Sequence, residues 1–109
     1  MRVALHSEIR ADAVDVYVER HRRIPDDLVE AFERIGIRDW TIWIAGSRLF
    51  HLIECDDWAE ASAALRDEPA DRAWQAEIGP YIEFFRDAES AAVPSPLARV
   101  WSLLHQRQL

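Results

Sequence analysis

The 109-residue chain has one cysteine, Cys55, and three glycines. One cysteine cannot close an intrachain disulfide, and no CxxC is present to hold zinc. Cys55 therefore reads as a buried strand residue. With so little glycine there is no glycine-rich loop for phosphate, and no His/Cys/Asp/Glu set has metal-ligand spacing. No cofactor and no metal are expected. Positive charge is also short: the net charge is −7, and Arg20, Arg22 and Arg23 sit among many carboxylates. A nucleic-acid or anionic-membrane partner needs a basic stripe, so neither is expected. No apolar run approaches membrane-spanning length, and Met1–Glu8 has no signal-peptide core. The expectation is a cytoplasmic protein without a membrane partner.

What is present is the material for one core. Half of the residues are hydrophobic and 30% are charged, so residues 1–109 read as a single domain. Five tryptophans stand out: Trp40, Trp43, Trp58, Trp74 and Trp101. An indole N–H wants a partner when buried, so tryptophan is costly as mere filling. Flat aromatic faces also suit the C–H faces of sugar rings. The other notable feature is Tyr17 followed four residues later by His21. At helical spacing they share a face, together with Val14 and Val18, which should point inward. A group that titrates near neutral pH beside a hydrogen-bonding aromatic is what a small proton-transfer site needs.

Periodicity supplies the elements. Residues 2–9 alternate as a strand. Asp12 offers an N-cap for a helix through His21, and Pro25 separates this from a second helix at Asp26–Ile35, closed by Gly36. Arg38–Ala45 alternates, with Trp40, Ile42 and Ile44 on one face and Trp43 on the other. Gly46-Ser47 signals a hairpin into Arg48–Cys55. Asp57-Trp58-Ala59-Glu60 resembles a capping box before a helix at Ala59–Leu65, and Pro69 precedes another at Ala70–Ile78. Tyr81–Phe85 reads as a short apolar piece, Arg86–Pro96 as a polar loop and Leu97–Leu104 as a last strand bearing Trp101. The order β-α-β-β-α-β is the ferredoxin-like plan, with helices on one face of an antiparallel sheet. The other face keeps bulky apolar residues that cannot stay wet. A homodimer with two sheets face to face, a dimeric α+β barrel, follows on burial grounds.

Several pieces in this order resemble the L-rhamnose mutarotase family. They are Tyr17-x-x-x-His21 with Ile24-Pro25, Gly36-Ile37-Arg38-Asp39-Trp40-Thr41-Ile42-Trp43, Leu49-Phe50-His51-Leu52-Ile53-Glu54, Arg72-Ala73-Trp74 and Ser95–Trp101. The resemblance implies a small, cofactor-free dimeric enzyme that interconverts the α and β anomers of a 6-deoxy sugar. It places the catalytic histidine, a proton donor, on His21 and sugar-binding groups on Tyr17, Trp40 and Trp74. Trp40 stands where a relative has tyrosine, and Ala73 where it has tryptophan. Both departures bear on which sugar fits, L-rhamnose or L-fucose. The second proton carrier is open among water, Tyr17 and a carboxylate such as Asp39.

The remaining candidates read as structural. His6 and His51 alternate within strands, His105 lies in the tail, and Glu54 is a strand-end carboxylate. Residues 67–72 form a solvated turn with helix-start charges. Other cofactor-free barrels on this plan, among them monooxygenases, lactone isomerases and dehydratases, use a histidine and an aromatic-walled pocket. A non-catalytic ligand-binding dimer would keep the sheet pairing without needing Tyr17 and His21.

Overall fold

A computed structural model describes residues 1–85 and 96–109. β1 (Arg2–Ile9) leads through a 3-10 turn at Ala11–Ala13 into α1 (Val14–Arg20) and α2 (Asp26–Ile35). β2 (Ile37–Ala45) and β3 (Arg48–Cys55) form a hairpin, followed by α3 (Trp58–Asp67), α4 (Pro69–Ile78), β4 (Ile82–Phe85) and the short α5 (Leu103–Arg107). The sheet has the antiparallel order β2-β3-β1-β4. This is the ferredoxin-like arrangement, with each helical layer segment split in two by a proline.

The splits have local causes. Pro25 has no N–H to give and stands at the start of α2, with Asp26 and Asp27 in its first turn. Pro69 opens α4, where the Glu68 side chain accepts from the Ala70 N–H. Asp57 caps α3 by accepting the Glu60 N–H at 2.9 Å, as the sequence pattern predicts. Asp12 does not cap a helix. Its carboxylate is held by the Arg10 guanidinium, at 2.9 and 3.1 Å, and α1 starts without a side-chain cap.

Gly36 ends α2 in the left-handed region at φ 93°, and its N–H bonds back to Phe32 and Glu33 carbonyls. A Cβ here would meet Asp56 Oδ2 at 2.9 Å. Gly36→Ala is expected to cost about 1–2 kcal/mol, read as a Tm lower by several degrees in a thermal melt followed by circular dichroism.

Alternation sorts the strands into two faces. Val3, Leu5, Ser7 and Ile9 of β1 oppose Ile53, His51 and Leu49 of β3 and lie under the helices. Leu5, Ile9, Leu28, Leu49 and Ile53 are fully buried there. Cys55 is buried at the end of β3, as expected. The opposite face carries His6, Phe50, Leu52 and Trp43, with Trp43 54% exposed.

Two expectations are corrected. The fourth strand is Ile82–Phe85, not Leu97–Leu104. Leu97 gives one backbone bond to Ala4, at 2.7 Å, but no ladder follows: Val100 is 98% exposed and Leu103 already lies in α5. Alternating apolar residues make a strand only where a neighbouring edge supplies repeated partners. The polar loop expected over 86–96 lies, up to residue 95, outside the described residues. Val18 also turns outward, because α1 buries only a narrow stripe around Tyr17.

Candidate active site

A cavity of about 1200 Å³ opens between the helices and the covered face of the sheet. Tyr17, His21, Trp40 and Trp74 all line it. Two of these come from one local feature. Tyr17 is buried in α1, and His21 is the residue that ends α1, its backbone N–H bonded to the Tyr17 and Val18 carbonyls. The rings of Tyr17 and His21 stack at 4.0 Å between centroids. Trp74 arrives from α4 and meets His21 edge-on at 5.1 Å. Tyr17 and Trp74 belong to one buried cluster with Ile9, Leu28, Leu49 and Ile78, so the wall behind His21 is packed. An Arg20–Glu77 ion pair at 2.8 Å joins α1 to α4 at the surface.

Hydrogen bonding assigns the state of His21. Its Nδ1 lies 2.8 Å from the Tyr17 carbonyl oxygen. A carbonyl only accepts, so Nδ1 carries the proton and, in the neutral ring, Nε2 is the basic nitrogen left for a ligand. Burial pushes the His21 pKa below its ordinary value, partly offset by that backbone bond. The ring is therefore neutral at pH 7. Burial pushes the Tyr17 phenol the other way, well above its ordinary range, so it stays protonated.

The sheet contributes the opposite wall. Trp40 is half-buried against Phe32, with ring centroids 5.6 Å apart, and meets Trp58 edge-on at 6.0 Å. Its indole Nε1–H donates to His51 Nδ1 at 3.1 Å. His51 Nε2 in turn lies 3.1 Å from Ser7 Oγ. Burial, then the nearby His21 and His6, lower the His51 pKa to about 4, so it too is neutral.

Two lining residues are not legible as site residues in the sequence. His51 reads as structural, yet it occupies an inward position of β3 between Leu49 and Ile53. A polar residue in that register was the available signal. The solvated turn expected at 67–72 begins α4 instead, and Asp71 lines the cavity half-buried. Burial holds its carboxyl above the usual range, partly offset by the Gln75 amide. Asp39 is exposed at the cavity's edge. Trp101 does not line its own chain's cavity; its indole N–H donates to Gln106 at 2.8 Å. Among the described residues no cluster of three or more His, Cys, Asp or Glu is placed to hold a metal, and no helix is long and apolar enough to cross a membrane.

A family model for L-rhamnose mutarotase matches residues 2–103. The chain belongs to the L-rhamnose mutarotase family. Membership makes it an isomerase-type, anomer-interconverting protein. No curated protein matches the chain. Among solved structures it is similar to an L-rhamnose mutarotase from Formosa agariphila, at 18% identity and a TM-score of 0.75, over 94% of this chain and 98% of that one. It is also similar to tetracenomycin F2 cyclase from Streptomyces glaucescens, a type-II polyketide cyclase. There the identity is 22% and the TM-score 0.53, over 97% of this chain and 88% of that one. At these identities both likenesses speak for the fold alone. A mutarotase-family chain thus presents an aromatic-walled cavity lined by a histidine whose Nδ1 is tied to the backbone.

Proposed function

We propose that the protein interconverts the α and β anomers of a 6-deoxy-L-sugar, L-rhamnose or L-fucose, by acid–base opening of the pyranose ring at His21. The observation that carries this reading is the fixed tautomer of His21: Nδ1–H is committed to the Tyr17 carbonyl, and Nε2 remains basic in a cavity walled by aromatic rings. Ring opening requires that the anomeric hydroxyl lose a proton, the ring oxygen gain one, and the C1–O5 bond break. Neutral His21 takes the anomeric proton through Nε2 while water or a side chain protonates the ring oxygen. After rotation about C1–C2 the C5 hydroxyl attacks the other face of the carbonyl and gives its proton back to that water or side chain. The imidazolium returns its proton to the carbonyl oxygen, which is the donor role the family implies for His21. Tyr17 hydrogen-bonds the sugar, and Trp40 and Trp74 wall it.

NMR saturation transfer between the α and β anomeric protons tests the reading directly. Cross-saturation of L-rhamnose or L-fucose that appears only with protein supports it. A folded protein that accelerates neither sugar sinks it, and leaves the other chemistries of this fold.

The pH dependence has a definite sign. Protonated Nε2 cannot accept, so the catalysed rate should hold between about pH 7 and 8 and fall as pH drops through the His21 pKa. That pKa lies below the ordinary 6.5 because burial disfavours the charged ring. The same exchange measurement across pH checks it; a rate that instead declines from pH 6.5 to 8 contradicts the assignment.

We also propose a cytoplasmic homodimer. The sheet face away from the helices exposes Trp43 and Phe50 next to Leu52. His6 on that face packs at a tilt against Phe50 and keeps a buried Nε2 with no partner among the described residues. An apolar, unpaired face of this kind suits a second copy laid against it.

A further inference from the structure

We infer that His51 is a positioning residue that withdraws the indole N–H of Trp40 from the cavity, so that residue 40 meets a ligand as a donor-free ring face. The argument rests on hydrogen-bond inventory. An indole N–H can only donate, so the 3.1 Å contact with Trp40 Nε1 obliges His51 Nδ1 to accept. The His51 proton is then on Nε2, where it donates to Ser7 Oγ at 3.1 Å. Ser7 is itself buried in β1, opposite Leu49, so the chain Ser7–His51–Trp40 is anchored in the two central strands. Trp40 and His51 rings meet at 73°, which directs the indole edge at the imidazole. Phe32 packs on Trp40 and Trp58 meets it edge-on, so the indole is braced on several sides.

The consequence is chemical. A free indole N–H in the cavity would seek a sugar hydroxyl. Committed to His51, it leaves a wall suited to C–H groups, such as the less hydroxylated face and methyl of a deoxy sugar. His51 has no accessible basic nitrogen and no proton to spare, so it acts on binding through Trp40 and not on proton transfer.

This inference rests on the proposed sugar-anomer activity, and its test separates the two. His51→Phe keeps a ring in the strand and removes the acceptor; His51→Asn keeps an acceptor oxygen near the Nδ1 position. The indole N–H resonance of Trp40, assigned by its loss in Trp40→Phe, is followed by ¹⁵N-correlated NMR. With His51→Phe it should move upfield and exchange faster with water, and with His51→Asn it should stay near its wild-type position. In L-rhamnose exchange, His51→Phe should raise KM by about tenfold with kcat changed less than about twofold, and His51→Asn should recover most of the KM. Wild-type exchange with both variants unchanged in KM and in the indole resonance overturns the role of His51 alone. A kcat loss without a KM change overturns it too, because His51 would then serve the chemistry. Absence of exchange in the wild type overturns the parent reading and the effect on sugar binding together. The indole resonance then still decides whether His51 holds Trp40.

Discussion

Replacing His21 with Asn abolishes most of the catalysed anomer exchange, a fall of about 10²–10⁴-fold toward the spontaneous rate, the range general acid–base catalysis supplies. The expectation follows from how His21 is held. Its Nδ1–H is fixed to the Tyr17 carbonyl at 2.8 Å, its ring is stacked on Tyr17 and edged by Trp74, and the basic nitrogen is what remains. Asparagine can keep a donor to that carbonyl but brings no group that gains and loses a proton near neutral pH. The residue ends a helix and does not sit in a strand core, so the fold should survive. Lost stacking costs about 0.5–1.5 kcal/mol. Saturation transfer reads the rate, and circular dichroism confirms the folded state. A folded variant exchanging anomers at the wild-type rate would remove His21 from the mechanism.

Trp43→Glu should convert the proposed dimer to a monomer. Trp43 lies on the open face of the sheet opposite Phe50, and is 54% exposed in the single chain. A carboxylate there is harmless in the monomer, because it stays in water. In a sheet-to-sheet dimer it would be buried without a partner, and by symmetry twice. Effective penalties of several kcal/mol per buried ion translate into a dissociation constant weaker by orders of magnitude. Analytical ultracentrifugation distinguishes the two masses, since the chain alone is 12.7 kDa. A wild type that sediments as a monomer at micromolar concentration would refute the dimer itself. A Trp43→Glu dimer would move the interface to another surface.

The elements that were legible in the sequence are those with a local cause. α2 starts after Pro25, which has no N–H to continue a preceding helix, and stops at Gly36, which takes the left-handed conformation without a Cβ penalty; both limits are legible in the sequence. The β2–β3 hairpin follows from alternation on either side of Gly46, which adopts φ 61°. The Tyr17–His21 stack follows from helical spacing alone. The last strand is not legible locally, because Leu97–Leu104 alternates as well as Tyr81–Phe85 does. The choice depends on which segment meets the free edge of β1, and no local pattern records that.

The sequence by itself thus determined the order of the elements as far as α4, the family, and a histidine paired with a tyrosine one turn before it. Only the tertiary structure decided that Trp40, from the sheet, and Trp74, from α4, face one cavity with that pair. It also decided that His51 spends its acceptor on Trp40, and that Asp71 is a cavity residue and not part of a solvated turn. The physical reason is that spacing along a helix or strand sets which side chains share a face. Which face meets which, and which buried donors find acceptors, depends on contacts between residues dozens of positions apart.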